Sequence, residues 1–504
     1  MSFWLVGPSD VNRHLEFPEP APARFLERRA SYPWLVVGTV CVGAFIGQVD
    51  ASIVQLALPT LEDAFGAPLH AVSWVAVGYM LAFASTLPLF ARLAAIGGRK
   101  TLYLAGFALF GLFSALCGLA SSLTMLIVFR LLQGVSGALL GANSLAVLVA
   151  AAGPQRRGRA IGVMAAAQAV GLSLGPALGG VLLSAFGWRA IFWVTVPFAV
   201  FGAALGWLIV PRTTAFAKDS RFDVAGAILV VPALVALLLA ITEAQAWGPS
   251  LPLLAAVTAA IGLLGAFVWR EVRAPAPLID PALFRSAAFS AGTVGVLVSY
   301  AMLYGMFFAM SFALVRGYHE SPLIAGLMLT VVPITLGLVA PFSAAASDEH
   351  PRLVMLSGAV LAAAAALMLA RFLTGSAHGL PAVMIALAAF GLGLGLYIAP
   401  NNNTTMAAAP AGQSAEAGGL LNLLRVLGSG IGVASASVLL GFRLGAAAGV
   451  PVHTAHVPQA QLLAAVGDTL VMLAVFGALG AAMAAVRTLS ANKGKPAAAA
   501  ADRR

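Results

Sequence analysis

Charged residues are scarce in this sequence. Asp, Glu, Lys and Arg make up only 9% of its 504 residues, and 61% of the residues are hydrophobic. A soluble globular chain carries about 25% charged residues. A spanning helix needs about 20 apolar residues to cross a hydrocarbon layer of ~30 Å, and such runs follow one another along most of the chain. The composition excludes an ordinary soluble domain and predicts an all-α polytopic membrane protein.

Cysteine and phosphate-binding loops are also lacking. The two cysteines, Cys41 and Cys117, fall inside predicted helices and offer no disulfide framework. No GxxxxGK[ST] motif is present, so the chain lacks the phosphate-binding loop of ATP-hydrolysing proteins. No cofactor is therefore expected. The 28 Lys and Arg residues outnumber the 18 Asp and Glu residues. This excess is expected in cytoplasmic loops and does not indicate a nucleic-acid partner.

Fourteen spanning helices are predicted from apolar runs bounded by Gly, Pro and charge. They lie near 33–58, 72–92, 102–121, 124–149, 158–184, 189–210, 224–243, 251–270, 287–313, 322–346, 353–372, 380–405, 417–441 and 465–487. The predicted outer loops hold few basic residues, namely Arg189, Arg316, Arg371 and Arg443. By the positive-inside rule, an even number of helices and two cytoplasmic termini are expected. The protein itself is expected in the plasma (inner) membrane.

A weak internal repeat divides the chain. The loop after helix 2 reads ARLAAIGGRKTLYL, and the loop after helix 10 reads SAAASDEHPRLVML. The repeat predicts two six-helix halves, at 33–210 and 287–487, facing each other across a cavity, with two inserted helices and their linkers at 211–286. Residues 1–32 and 488–504 are predicted to be cytoplasmic tails, since the first has several arginines and no signal-like apolar core.

Charged side chains at membrane depth mark candidate functional residues, because one at a helix centre costs on the order of 3 kcal/mol. Asp50 is expected in the outer third of helix 1, about 25 Å of helical rise after Pro33. A carboxyl group in that setting is able to load and release a proton. The alternative is an acid that is only solvated at a water-filled mouth.

Arg130, Gln133, Gly134 and Gly137 share one face of helix 4. Because arginine stays charged, Arg130 is expected to stabilise a carboxylate or a bound anion rather than to carry a proton. The alternative is an arginine that only locks helices together. Arg425 in helix 13 is interpreted in the same way, or as a helix-end residue.

Helix 5 reads GLSLGPALGG from Gly171. Glycines at a spacing of four form a stripe that allows close helix contact in lipid, and a proline between them favours a bend. The residues of this predicted hinge are Gly171, Gly175, Pro176, Gly179 and Gly180.

These motifs resemble those of the major facilitator superfamily, in its fourteen-helix drug:proton antiporter (QacA/EmrB-like) branch. GLSLGPALGG is similar to the antiporter signature of helix 5, RLLQGVSGA to the helix 4 motif, and DASIVQLALP to the helix 1 motif. The resemblance implies a proton-coupled exporter of small, largely apolar or amphiphilic compounds, cations included, with the proton gradient as its source of energy. By the resemblance, Asp50 is a proton- or cation-handling acid, Arg130 is part of the proton coupling, and Gly175 with Pro176 is part of the exchange hinge. Their positions in helices 4 and 13 add Gln133 and Arg425 to the predicted residues of proton or substrate coupling.

The resemblance also implies cytoplasmic gating loops, at Arg92, Gly98, Arg99 and Lys100 in the first half and Asp348 in the second. The chain departs from the family at several positions. An acid is usual at Ala95, a glycine at Ala91, an asparagine at Gln55 and a glutamine at Arg316. The missing acid at Ala95 bears on how tightly the inner gate closes.

Other functions need residues that the sequence does not place together. GVSG at Gly134 is similar to a serine-protease nucleophile motif, but all seven histidines fall in predicted tails or loops, so an intramembrane base is missing. His453 and His456 alone are too few ligands for a metal site. The rival hypotheses are an exporter of a lipid, a fatty acid or a secreted metabolite, and a purely structural membrane protein. Expected partners are a small-molecule substrate, protons and the bilayer, and a periplasmic adaptor protein is a further hypothesis.

Overall fold

The computed structural model describes residues 18–213, 223–275, 277–410, 413–445 and 452–493, and within these ranges every regular element is a helix. Fourteen of the described helices are long and apolar enough to cross a membrane. The all-α fold class predicted from the sequence is therefore confirmed. The helices are α1 Tyr32–Phe65, α2 Leu69–Gly97, α3 Arg99–Gly118, α4 Leu123–Ala152, α5 Arg157–Phe186, α6 Ala190–Ile209, α7 Val224–Thr242, α8 Leu251–Arg273, α9 Ala287–Phe312, α10 Pro322–Glu349, α11 Pro351–Phe372, α12 Leu380–Ala407, α13 Ser414–Arg443 and α14 Gln459–Lys493.

Some helix ends differ from the prediction. The end of the first helix at 58 was wrong, because α1 continues through Pro59 to Phe65. A proline removes only one backbone donor, and spanning helices tolerate that loss where neighbouring groups compensate. The last helix begins at Gln459 rather than at 465. His70 was expected in a loop but lies in the first turn of α2.

The first of two compact units takes in Met1–Leu61, Trp74–Ala240 and Pro249–Asp280, as far as these residues are described. In it, α3 packs against α4 and α6. Three aromatic side chains of α3, those of Tyr103, Phe107 and Phe110, are completely buried. The unit also contains most of α7 and all of α8, the two helices inserted between the predicted halves.

The second unit takes in Glu62–Ser73, Ile241–Gly248 and Pro281–Arg504, again as far as they are described. Its central helix is α9, which packs against α13 and α14. The phenylalanines of α9, Phe307, Phe308 and Phe312, are completely buried. Around this centre, α12 packs against α10 and α11, and α11 also packs against α14.

Candidate functional site

Asp50 lies near the middle of α1, and its predicted position in the outer third of the helix was wrong. The error follows from the predicted end at 58, since α1 continues to Phe65. The side chain is completely buried in the first unit. A carboxylate at that depth needs partners from the protein itself, because hydrocarbon offers none.

Arg130 and Gln133 of α4 supply these partners. Arg130 Nη1 donates to Asp50 Oδ2 at 2.8 Å and to Gln133 Oε1 at 2.6 Å. Gln133 Nε2 donates to Asp50 Oδ1 at 3.0 Å. The three side chains are at most 1% exposed. They form a closed network, which we call the Asp50 network, in which each carboxylate oxygen accepts a hydrogen bond.

The rest of the Arg130 guanidinium is held by α2. Its Nε donates to the Val75 carbonyl oxygen at 2.9 Å, and its Cζ lies 4.3 Å from the centre of the Tyr79 ring. Gly134 lets the two helices approach, since a Cβ added there would lie 3.0 Å from Ala82 Cβ. Arg130 therefore connects α4 to both α1 and α2, and the charge on Asp50 decides whether this buried arginine has a counter-ion.

The glycine stripe of α5 packs directly on α1. A Cβ added at Gly171 would lie 2.6 Å from the Phe45 carbonyl oxygen, and one added at Gly175 would lie 2.9 Å from Ser52 Cβ, with Ser52 Oγ closer still. The helix that carries Asp50 is therefore in backbone-to-backbone contact with the predicted hinge. The hinge residues are all buried, namely Gly171, Gly175, Pro176, Gly179 and Gly180.

Glu19, from the segment predicted to be a tail, binds the turn between α2 and α3. Its Oε1 accepts from the Lys100 backbone N–H at 3.0 Å and from Thr213 Oγ1 at 2.8 Å, and its Oε2 accepts from the Thr213 N–H at 2.5 Å. Gly98 has a φ of 116°, and an added Cβ there would lie 2.7 Å from Glu19 Oε1. The turn that follows Ala95, the position at which the family usually has an acid, thus has a carboxylate beside it from the N-terminal segment.

Two basic side chains of the predicted gating loop, those of Lys100 and Arg92, donate hydrogen bonds to backbone carbonyl groups. Lys100 is completely buried, and its Nζ donates to the Trp207 and Val210 carbonyl oxygens at 3.0 and 2.5 Å. An ammonium group at the carboxyl end of α6 is favourably placed against the helix dipole. Arg92 Nη2 donates to the Pro277 carbonyl oxygen at 2.6 Å.

The other predicted site residues lie apart from the Asp50 network. The Arg99 backbone N–H donates to Thr213 Oγ1 at 2.9 Å. Arg425 lies well inside α13, so the helix-end alternative was wrong, and its Nη2 donates to Asn422 Oδ1 at 2.6 Å in the second unit. The side chain of Asp348 lies outside the described residues.

The sequence analysis missed a buried acid at the end of α1. Glu62 is completely buried in the second unit, where it accepts hydrogen bonds from the Thr454 N–H at 2.7 Å and from Thr454 Oγ1. Arg316 Nη2 lies 3.9 Å from Glu62 Oε2 and 2.5 Å from Asp63 Oδ1. The predicted end at 58 had placed Glu62 in a loop. The arginine at 316, where the family usually has glutamine, was the available signal.

The histidine pair lies beside the same cluster. The rings of His453 and His456 are 5.2 Å apart, and His453 Nε2 lies 3.2 Å from the Glu62 backbone carbonyl oxygen. Among the residues that the structure describes, no group of three or more His, Cys, Asp or Glu side chains could hold a metal ion.

In the part of the chain that the structure describes, fourteen helices long enough to cross a membrane, a buried acid–arginine–amide network and a glycine stripe that joins two helices define a polytopic membrane transporter. The chain belongs to the Major Facilitator Superfamily, because the sequence model of that family matches residues 40–433. It is a multi-pass membrane protein and a transporter, not an enzyme.

Two relatives place the chain in the drug-efflux branch of that family, as its motifs indicated. It is 34% identical over 413 residues to the multidrug resistance protein Stp of Mycobacterium tuberculosis, covering 78% of this chain and 73% of that protein. It is 32% identical over 416 residues to the tetracenomycin C resistance and export protein of Streptomyces glaucescens, covering 82% and 77%. It is also 30% identical over 401 residues to the riboflavin transporter RibZ of Clostridioides difficile, covering 80% and 87%.

Solved structures confirm the fold alone. A bacterial homologue of the human lysosomal transporter Spinster superposes with a TM-score of 0.67 at 14% identity, over 93% of this chain and 100% of that chain.

Proposed function

We propose that the protein is a proton-coupled antiporter that exports small, largely apolar or amphiphilic compounds across the plasma membrane by alternating access, with both termini in the cytoplasm. The observation that supports this proposal most directly is the Asp50 network. It places a carboxyl group, the only part of the network able to take up a proton readily, in direct contact with a permanent cation in the buried interior of the first unit.

Protonation of Asp50 would remove the counter-ion of Arg130. The guanidinium, which is also bound to α2 and to Gln133, would then favour an arrangement in which other acceptors or water reach it. α1 also packs on the glycine stripe of α5. When α1 shifts relative to α4, it therefore also has to slide along α5. Proton binding would in this way bias one conformation over another, which is what coupling requires.

The direction of transport and the substrate class are supported by the names of relatives. Stp is named for multidrug resistance, and the Streptomyces relative is named for resistance and export. These names favour export of apolar, drug-like compounds. The second candidate function is transport of a metabolite, which the riboflavin transporter of Clostridioides difficile favours.

Reconstitution tests the proposal. Purified protein in proteoliposomes would be given a pH gradient, and movement of ethidium, an amphiphilic fluorescent cation, would be followed together with the internal pH. We expect ethidium movement against the proton flow, and we expect it to stop when an ionophore collapses the gradient. Equal rates with and without the gradient would contradict proton coupling, and movement of ethidium in the same direction as protons would contradict antiport.

A further inference from the structure

Gln55 is a buried side chain without a hydrogen-bond partner. It lies on α1 in the first unit and is 1% exposed. Neither its Oε1 nor its Nε2 has a hydrogen-bond partner in the described part of the chain. A buried amide left in this state costs free energy, because its donor and acceptor groups do not regain the hydrogen bonds that they make with water in the unfolded chain. A site of this kind in a native protein requires an explanation.

The helix face that carries Gln55 is built for contact with something other than lipid. Gly47, Gln48 and Ala51 precede Gln55 on the same side of α1. This face therefore consists of small and amide side chains, whereas a lipid-facing surface would consist of large aliphatic ones. Polar side chains at membrane depth face the protein interior or a water-filled cavity.

Exposure falls along this face in the direction of Gln55. Gly47 and Gln48 are partly exposed, and a Cβ added at Gly47 would meet no atom within 4 Å. Ala51 is 8% exposed and Gln55 is 1% exposed. This face of α1 is thus accessible at Gly47 and is buried at Gln55, whose amide has no hydrogen-bond partner in the described residues.

The nearby charged groups, Asp50 and Arg130, already bind each other and do not compete with Gln55 for a ligand. Both carboxylate oxygens of Asp50 already accept hydrogen bonds, from Arg130 and Gln133. The pair of opposite charges is neutral as a whole, and it is completely buried. At its closed end, this face of α1 therefore offers a ligand a neutral amide, with one acceptor oxygen and two donor hydrogens.

We infer that Gln55 binds the transported compound, and that the preferred substrates are neutral, largely apolar molecules with a hydrogen-bond donor next to an acceptor, such as an imide or amide edge. The side-chain oxygen of Gln55 accepts from the N–H of that edge, and its nitrogen donates to the adjacent carbonyl. This inference rests on the proposed export function, of which it specifies the substrate class.

Lumichrome and its N1,N3-dimethyl derivative are a matched pair of probes. Both are neutral, planar and largely apolar, but only lumichrome keeps N–H donors beside its ring carbonyl groups. Equilibrium binding to the full-length protein in detergent, without a proton gradient, separates this inference from the question of coupling. Wild-type protein is expected to bind lumichrome about 10-fold more tightly than the methylated probe, the effect of one or two neutral hydrogen bonds.

The variant Gln55→Leu keeps the approximate size of the side chain and removes its hydrogen bonding. We expect it to bind both probes equally, at the level of the methylated probe in the wild-type protein. Its thermal stability without ligand is expected to be no lower than that of the wild type, because an unpaired buried amide is replaced by an apolar group. Gln55→Asn, which keeps the amide, is expected to retain a preference for lumichrome.

Thr39→Val is the matched control. Thr39 is also on α1 and is 1% exposed, but its hydroxyl already donates to the Leu35 carbonyl oxygen at 3.0 Å. We expect this variant to keep the preference for lumichrome. The inference is overturned if wild-type protein does not distinguish the two probes, or if Gln55→Leu keeps the distinction. A loss of all binding together with lower thermal stability in Gln55→Leu would also overturn it and would assign Gln55 to folding. Preserved binding with no gradient-driven transport would instead refute only the proton coupling.

Discussion

Gly175 of α5 and Ser52 of α1 are so close that no side chain fits between them. A Cβ added at Gly175 would lie 2.9 Å from Ser52 Cβ and 3.2 Å from the Ile53 backbone nitrogen. Ser52 is itself fixed, because its Oγ donates to the Gln48 carbonyl oxygen at 2.8 Å. Two helices that meet at their backbones in this way can slide only if the contact remains free of side chains.

Gly175→Ala is therefore expected to destabilise the folded protein by about 1–3 kcal/mol, the usual cost of overpacking a filled site. Gradient-driven transport is expected to fall as well. Thermal unfolding in detergent and proteoliposome transport would measure the two effects. Gly162→Ala, on the same helix, is the control, since a Cβ at Gly162 meets no atom within 4 Å. A Gly175→Ala protein as stable and active as the control would refute the tight contact.

Glu19→Gln is expected to weaken the turn between α2 and α3. The carboxylate accepts from the Lys100 N–H in the first turn of α3 and from Thr213. Gln keeps the size but loses the charge, and one of its terminal groups is a donor facing N–H groups. We expect a loss of about 1 kcal/mol in the free energy of unfolding.

Glu27→Gln is the control for this effect, because Glu27 is exposed on the same N-terminal segment. Thermal unfolding of both variants should show a loss for Glu19 alone. If both variants unfold like the wild type, the segment does not stabilise the turn. A further variant, Ala95→Asp in the Glu19→Gln background, would show whether an acid at the family's usual position restores the stability.

Features of the fold and the site that depend on residues within one helix could be predicted from the sequence. Apolar runs predicted fourteen helices because the membrane imposes their length and composition. Helical spacing placed Arg130 and Gln133 on one face of α4, and the glycine spacing of α5 predicted a close helix contact. These features are local to one helix.

The partners of those residues could not be derived in the same way. Nothing in the local pattern shows that Asp50 meets Arg130, that the α5 glycines meet α1, or that Glu19 binds a turn some eighty residues downstream. Glu62 was missed because Pro59 was treated as a helix end, although spanning helices tolerate proline. Tertiary contacts decide each of these cases.

Arg130→Lys tests whether the geometry of the guanidinium matters beyond its charge. Arg130 donates to Asp50, Gln133 and the Val75 carbonyl oxygen, which lie in different directions. A lysine ammonium is a compact point charge and cannot reach all three. We expect gradient-driven transport to fall about 10-fold, the loss of one or two charge-assisted hydrogen bonds, while substrate binding in detergent remains. Undiminished transport in the variant would show that any cation suffices at this position.

Asp50→Asn is expected to abolish proton-driven exchange, because Asn keeps the size of the side chain but does not titrate. It also leaves the buried Arg130 without its counter-ion, which costs about 3–5 kcal/mol of stability when one partner of a buried pair is removed. The double variant Asp50→Asn with Arg130→Gln removes that unpaired charge, so we expect it to recover thermal stability but not transport. Proteoliposome exchange under a pH gradient and thermal unfolding separate the two effects. Exchange at the wild-type rate in either variant would show that Asp50 does not carry the proton.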